Sequence, residues 1–99
     1  MSLGHYKLVD RVPVPCTLAE WGRMMEDGNG RRVAEFELGD VRVSTVFLGI
    51  DHQFGNGPPL LFETMIFGGE HDNYQDRCST WKQAEAMHAK AVALVKAAS

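Results

Sequence analysis

The chain has 99 residues, of which 44% are hydrophobic and 23% charged, the composition of an ordinary globular protein rather than of a disordered one. The net charge is −3 at pH 7 and the only adjacent basic pair is Arg31 and Arg32, which disfavours nucleic-acid binding. No apolar stretch reaches the roughly 18–20 residues that cross a bilayer, and residues 1–5 lack a secretory-signal pattern. We predict one cytoplasmic domain over residues 1–99, with an ordered core at residues 5–97 and no membrane contact.

The N-terminal part of the chain predicts a short strand followed by an extended connector. The strand covers residues 5–9. Pro13 and Pro15 keep the connector extended, because proline fixes its own φ and restricts the residue before it.

A short helix follows the connector. Thr17 and Glu20 match a capping box, which marks the start of a helix. Leu18, Trp21 and Met25 lie on one side of this helix, which ends in the glycine-rich stretch that begins after residue 27. Because so short a helix is marginal alone, it needs tertiary packing on that side.

The middle of the chain predicts a β-meander. Residues 32–38 alternate between apolar and charged side chains over most of their length, the period of a strand with one buried face. Gly39 and Asp40 fit a two-residue hairpin turn, which sets the register with a strand over residues 41–50. The expected cross-strand pairs are Leu38 with Val41, Phe36 with Val43, Ala34 with Thr45 and Glu37 with Arg42.

Two further segments extend the sheet. The second half of residues 41–50 is apolar on both faces, which favours a central strand covered on both sides. Residues 60–67 form the next strand, and Gly68 and Gly69 end it. Residues 70–77 are polar and predict a loop.

The C-terminal segment has the clearest pattern, a helix that begins after Thr80 and ends near Ala97. Thr80 and Gln83 match a second capping box. One broad arc of the helix comprises Trp81, Ala84, Met87, His88, Ala91, Val92, Leu94 and Val95 and should lie across the sheet. The predicted fold class is α+β: an antiparallel sheet of three to four strands in a meander, with a short N-terminal helix and a long C-terminal helix packed on it.

The histidines do not combine into a metal site in this topology. His52 and His71 fall in loops at opposite ends of the sheet, about 25–30 Å apart for strands of about eight to ten residues, whereas zinc–ligand bonds are about 2 Å long. Glu85 and His88 form one Glu-x-x-His unit, but di-iron carboxylate sites need two. We predict that His88 is a hydrogen-bonded core histidine, and we predict no metal, no cofactor and no catalytic residue.

Cys16 and Cys78 stand alone, without a Cys-x-x-Cys pair. Isolated cysteines in a chain without a secretory signal are typical of reduced cytosolic thiols. We predict that both are small buried residues rather than reactive or bridging ones.

Residues 51–59 form the loop with the most varied chemistry. Asp51, His52, Phe54 and Pro58 bring an acid, an imidazole, an aromatic ring and a stiff turn into one connection. Loops held by a rigid sheet are common binding surfaces, so these four are the candidate binding residues. The alternative is a structural connection whose Phe54 folds back onto the core.

Three stretches carry a resemblance to a known family: VSTVFLGIDH at residues 43–52, GPPLLFETM at residues 57–65 and STW at residues 79–81. Together they resemble short proteins of unassigned activity encoded in bacteriophages and prophages. Members of that family often carry tyrosine at the position of Cys78, which argues against a reactive thiol. The resemblance implies a phage or prophage product made in a bacterial cytoplasm, and it transfers no catalytic residue.

Three functional hypotheses follow. The first is a non-enzymatic module that binds a phage or host protein through the loop of residues 51–59 and a sheet edge. Self-association is also expected, because sheet edges need covering. The second is a small metal-assisted hydrolase that uses Asp51 and His52 with ligands from a second subunit. The third, a nucleic-acid accessory protein, is disfavoured by the acidic balance of the chain.

Overall fold

The computed structural model describes residues 4–27, 31–51 and 57–99. Within these ranges the elements are β1 (Tyr6–Val9), β2 (Val12–Pro15), α1 (Leu18–Glu26), β3 (Arg32–Leu38), β4 (Val41–Phe47), β5 (Phe62–Phe67), β6 (Gln75–Cys78) and α2 (Trp81–Ala98). β1 pairs with β2, and the other strands form a sheet in the order β3-β4-β5-β6. All of these pairings are antiparallel. With α2 packed on the sheet, the predicted α+β fold is confirmed.

The hairpin of β3 and β4 has the register that the sequence predicts. The observed partners include Leu38 with Val41, Glu37 with Arg42, Phe36 with Val43 and Ala34 with Thr45. Gly39 has a φ of 60°, which suits glycine at the first central position of a type II′ turn. Arg42 makes its ion pair diagonally with Glu35, at 3.4 Å.

α2 covers one face of the four-stranded sheet. The side chains of β4 and β5 that face the helix are buried: Val43, Thr45, Phe47, Phe62, Thr64 and Ile66. The helix contributes Ala84, Met87, Ala91 and Val95 to the same layer. The predicted arc is therefore buried along its centre, and Trp81, His88, Val92 and Leu94 lie half-buried at its borders.

The apolar residues 46–50 do not form the end of a strand that is covered on both sides. β4 ends at Phe47, and Gly49, with a φ of 73°, turns the chain out of the extended conformation. Val46 and Met65 face away from α2 and are only half-buried. The prediction that this strand is covered on both sides is therefore wrong, because α2 fully buries one face only.

Two strands lie where the sequence predicts connecting segments. Pro13 and Pro15 belong to β2, and an edge strand tolerates proline because it can present the missing N–H side to solvent. β6 replaces the end of the predicted loop over residues 70–77. Its Arg77 lies opposite Glu63 and pairs with it at 3.0 Å. A cross-strand ion pair thus helps to hold β6, and the sequence shows no apolar alternation there that would predict a strand.

β1, β2 and α1 form a smaller layer at the end of the sheet where β4 stops. The Tyr6 N–H donates to the Gly49 carbonyl at 2.7 Å, and Trp21 Nε1 donates to the Leu48 carbonyl at 3.3 Å. Leu18 was predicted to pack, but it is 63% exposed. The reason is that the packed side of α1 centres on Trp21 and Met24, which surround Gly49.

The longest helix is α2, with 18 residues. In the described part of the chain, no helix is both long and apolar enough to cross a membrane.

Candidate functional site

The structure describes two of the four loop residues predicted to bind a partner. Pro58 is exposed and Asp51 is half-buried. His52 and Phe54 lie outside the described residues, so their role stays a prediction.

Asp51 holds the base of the loop together. Its Oδ1 accepts a hydrogen bond from the Leu60 N–H at 3.0 Å, and its own N–H donates to the Gly4 carbonyl at 3.1 Å. The carboxylate thus ties the start of the loop to its end, nine residues further along the chain. This contact gives Asp51 a structural role.

Two of the candidate metal ligands, Asp51 and His71, lie beyond opposite ends of the β4–β5 pair, and His52 lies outside the described residues. β4 and β5 pair Phe47 with Phe62 near one end. Asp51 follows that end, whereas His71 follows Phe67 at the other. Among residues 4–27, 31–51 and 57–99, no group of three or more His, Cys, Asp or Glu side chains could hold a metal ion.

An open groove runs between α2 and β3. Its volume is about 470 Å³, and its lining residues are Glu35, Phe36, His88, Ala89, Val92, Ala93 and Lys96. We call it the β3–α2 groove. Four of these residues are apolar, and the other three supply an imidazole and one charge of each sign. A mostly apolar lining with a few polar groups is typical of binding sites.

Two buried hydroxyls fix His88 in this groove. Thr45 Oγ1 lies 2.7 Å from His88 Nδ1 and 2.5 Å from Thr64 Oγ1. Thr45 and Thr64 are fully buried and lie opposite each other on β4 and β5. The predicted hydrogen bond of His88 is confirmed. Its ring is half-buried rather than in the core, because it lies on the flank of α2 that faces the groove.

The hydroxyl hydrogens of Thr45 and Thr64 determine which tautomer His88 adopts. Thr45 is the only hydrogen-bonding partner of the Thr64 hydroxyl within the described residues, so Thr64 donates to Thr45. Thr45 then donates its own hydrogen to Nδ1 of His88, which must be unprotonated. The reverse order would leave a buried hydroxyl hydrogen without an acceptor, at a cost of about 1–3 kcal/mol. His88 is therefore neutral, with its hydrogen on Nε2.

Burial favours the same neutral state, because it lowers the pKa of His88 by removing hydration from the imidazolium. The contact of Thr45 with His88 has the composition of a nucleophile–base pair. However, Thr45 is fully buried, so its hydroxyl is closed to any substrate. The pair instead orients the ring, and Nε2 has no hydrogen-bond partner within the described residues.

At the rim of the groove the negative charge has ion-pair partners and the positive charge has none among the described residues. Glu35 lies 3.2 Å from Arg32 and 3.4 Å from Arg42. The Lys96 ammonium lies 5.4 Å from the centroid of the Phe36 ring, a cation–π contact, and no carboxylate of the described residues pairs with it. The helix side of the groove therefore offers hydrogen-bond donors and one positive charge.

β3 is an open edge of the sheet. It has seven residues and pairs with β4 on one side, and no described strand pairs with it on the other. An edge strand directs alternate N–H and C=O groups outward, where they can pair with another chain. Its one irregularity is a register shift between Arg32 and Ala34. Residues 34–38 therefore present a regular edge beside the groove.

The two cysteines are half-buried, which corrects the prediction that both are buried. Cys78 packs at the border of the core on β6, an edge strand that leaves one side open. Burial raises its pKa to about 11 and also raises the pKa of Cys16. A raised pKa keeps a thiol protonated and weakens it as a nucleophile.

Sequence reasoning identified His88 but not the groove that it lines. Two signals for the groove are present in the sequence. β3 opens the meander, so it lies at an edge unless another strand returns to it. Positions 88, 92 and 96 follow the helical spacing of four along one flank of α2.

Comparisons with known proteins give no family. No protein-family model matches the chain, and searches of curated proteins and of solved structures found no match either. The resemblance to phage-encoded proteins therefore stays a prediction.

Proposed function

We propose that the chain is a non-enzymatic module of phage or prophage origin that binds an extended segment of a partner protein along β3, in the β3–α2 groove. The open edge strand beside an apolar groove carries this proposal. In strand addition the backbone hydrogen bonds of a sheet edge supply affinity, and pockets beside the edge select alternate side chains.

The groove suits a short segment. Residues 34–38 span about 17 Å at about 3.3 Å per residue, so five or six partner residues fill the regular part of the edge. Alternate side chains of an added strand point toward α2, where they meet Phe36, Ala89 and Val92. The others point to the far face of the sheet, beside Glu35 and Glu37.

The charges of β3 favour a different protein over a second copy of this chain. Glu35 and Glu37 lie on the same face, opposite Ser44 and Arg42 of β4. Antiparallel pairing of two β3 strands sets residues of the same face opposite each other, so glutamate meets glutamate. Like charges directly opposite destabilise a sheet. Self-association through this edge is therefore the less favourable alternative.

The proposed surface differs from the loop of residues 51–59. Asp51 is engaged at the base of that loop, whereas the groove offers backbone, apolar and charged groups together. The bacterial cytoplasm as the place of action, and a phage or host protein as the partner, are supported by the resemblance of residues 31–88 to phage-encoded proteins.

Selection of peptides and mapping of their contacts test this proposal. A library of random eight-residue peptides is selected on the folded chain, and ¹⁵N resonances are then followed as the best peptide is added. We expect the resonances of residues 34–38, and those of residues 88–96 on α2, to shift most. Selection of no peptide, or shifts confined to another surface, would contradict the proposal.

Two exposed alanines of α2 provide matched variants. Ala89 lines the groove and Ala86 does not, so Ala89→Glu places a longer, negatively charged side chain in the groove and Ala86→Glu adds the same charge elsewhere. We expect Ala89→Glu to weaken peptide binding at least about tenfold and Ala86→Glu to leave it within about twofold. Equal weakening by both variants would place the contact outside the groove. Sedimentation of the free protein reports self-association separately.

A further inference from the structure

Three residues on one flank of α2 form a row along the β3–α2 groove: His88, Val92 and Lys96. They lie four positions apart, which corresponds to a rise of about 6 Å each along a helix. Side chains two positions apart on one face of a strand are about 6.6–6.8 Å apart. An added strand can therefore set three successive groove-facing side chains against these three residues.

The position of β3 under the row orders the contacts. His88 bonds to Thr45, the partner of Ala34, so it lies beside the start of the regular edge. Lys96 lies over Phe36, further along β3. The row and the strand run in the same sense, with one donor, one apolar side chain and one cation in that order.

On the basis of the proposed function, we infer that this row selects a partner segment that carries a hydrogen-bond acceptor, an apolar residue and an acid at alternate positions. The Nε2–H of His88 donates to the acceptor, Val92 packs against the apolar residue, and Lys96 pairs with the acid. The occupant is an extended, acidic peptide segment.

The donor role of His88 follows from its buried partners. Thr45 and Thr64 are fully buried, and their hydroxyl hydrogens leave Nδ1 only an acceptor role. The ring therefore turns Nε2–H away from them. If the partner side chain opposite His88 were basic or another donor, two N–H groups would face each other and neither would have an acceptor. This cost disfavours such a side chain at that position.

The charges around the row favour an acid beside Lys96. Glu35 is the carboxylate that lines the groove, and both Arg32 and Arg42 lie within ion-pair distance of it. No carboxylate among residues 4–27, 31–51 and 57–99 pairs with Lys96. An incoming aspartate or glutamate is therefore the complementary group.

A symmetric peptide tests this inference whichever way the segment runs. The probe is a capped seven-residue peptide with aspartate at its second and sixth positions, valine at its fourth and threonine elsewhere. Because aspartate is both acceptor and acid, either orientation satisfies the row. We expect this peptide to bind at least about tenfold more tightly than the same peptide with both aspartates replaced by alanine, measured by titration of ¹⁵N resonances.

Variants of the row assign the preference to individual residues. His88→Phe keeps a ring but removes the donor, and Lys96→Met keeps the stem but removes the charge. Each should lower the preference for aspartate over alanine by about threefold to tenfold. Lys90→Met, on an exposed part of α2 outside the groove, should leave the preference unchanged. An equal loss in Lys90→Met would overturn the inference.

A measurement on the unmodified protein covers the case in which His88→Phe fails to fold. Long-range ¹H–¹⁵N spectra should show His88 protonated at Nε2 and not at Nδ1, and the aspartate peptide should shift Nε2 more than the alanine peptide does. A proton on Nδ1, or equal shifts from both peptides, would overturn the inference.

The outcomes separate this inference from the proposed function. Binding of both peptides along β3 with equal affinity would leave strand addition standing and remove the acceptor–apolar–acid rule. If neither these peptides nor the selected library contacts β3, both fail.

Discussion

The two helices begin with the same local signal and end with different roles. Thr17 with Glu20 at the start of α1, and Thr80 with Gln83 at the start of α2, form complete capping boxes. Yet α2 buries four residues, whereas α1 buries none. A cap contributes only about 1 kcal/mol, and most helical stability comes from packing. A cap therefore fixes where a helix begins, whereas the side chains that a helix buries determine how much it stabilises the fold.

The layer of α1 with β1 and β2 has no fully buried side chain among its described residues: Tyr6, Leu8 and Met24 pack against the core but are only half-buried, and polar and backbone contacts add to them. Lys7 pairs with Glu20 at 2.5 Å, and Trp21 donates to the Leu48 carbonyl. The α2 layer rests instead on packed rings such as Phe47 and Phe62, whose centroids lie 5.2 Å apart. We therefore expect the smaller layer to open locally before the sheet unfolds.

The largest expected difference between the layers comes from truncating an apolar side chain in each. Phe47→Ala removes a fully buried ring and should lower the free energy of unfolding by about 3–5 kcal/mol. Leu18→Ala, on the 63% exposed leucine of α1, should change it by no more than about 0.5 kcal/mol. Urea denaturation followed by circular dichroism measures both.

Comparable losses in the two variants would break the contrast. A cost above about 1.5 kcal/mol for Leu18→Ala would mean that α1 packs against something in solution, since this exceeds what an exposed side chain supplies.

A second prediction concerns the contact between the layers. Gly49→Ala places a Cβ 2.7 Å from Trp21 Nε1 and 2.8 Å from Met24 Cε at a φ of 73°, so it adds a clash to backbone strain. We expect a loss of about 2–4 kcal/mol. The Trp21 indole resonance should shift, because the ring must move away from the Leu48 carbonyl.

Gly39→Ala is the matched control for strain alone. Gly39 has a φ of 60° and no atom within 4 Å of an added Cβ, so it should cost about 1–2 kcal/mol. The Trp81 indole, at the start of α2, serves as the internal reference. Equal costs for both variants, with Trp21 unmoved, would show that the layers are not in close contact at Gly49.

The sequence predicted the parts of the fold that one period or one turn specifies. Alternation in residues 32–38 and the corner at Gly39 predicted the β3–β4 register pair by pair. The sequence did not predict β2 and β6, because both are edge strands that contain prolines or polar residues. Edge strands bury too few side chains to show an alternation of apolar and polar residues. The sequence did not predict the groove, because its position depends on where α2 crosses the sheet, and no local sequence pattern specifies that crossing.

A third prediction separates the layers by pH, beginning with the α2 layer. Burial lowers the pKa of His88 from its ordinary 6.5, so the unfolded chain binds more protons than the folded chain just below that pH. The contribution of neutral His88 to stability is thus complete above pH 6.5 and is lost as the pH falls below it. Urea midpoints should show this slope in the wild type but not in His88→Phe.

The α1 layer should respond in a more acidic window. The hydrogen bond from Lys7, aided by the Thr17 N–H, lowers the pKa of Glu20 from 4.5 to about 2. Its contribution is complete above pH 4.5 and declines as the pH falls toward 2. Because both side chains of the pair are more than a third exposed, we expect a small effect that salt reduces further. The protection factors of α1 amides, taken against the intrinsic exchange rate at each pH, should fall in this window, and Lys7→Met should remove most of that fall. If α1 instead opened together with the sheet below pH 6.5, the two layers would form one cooperative unit.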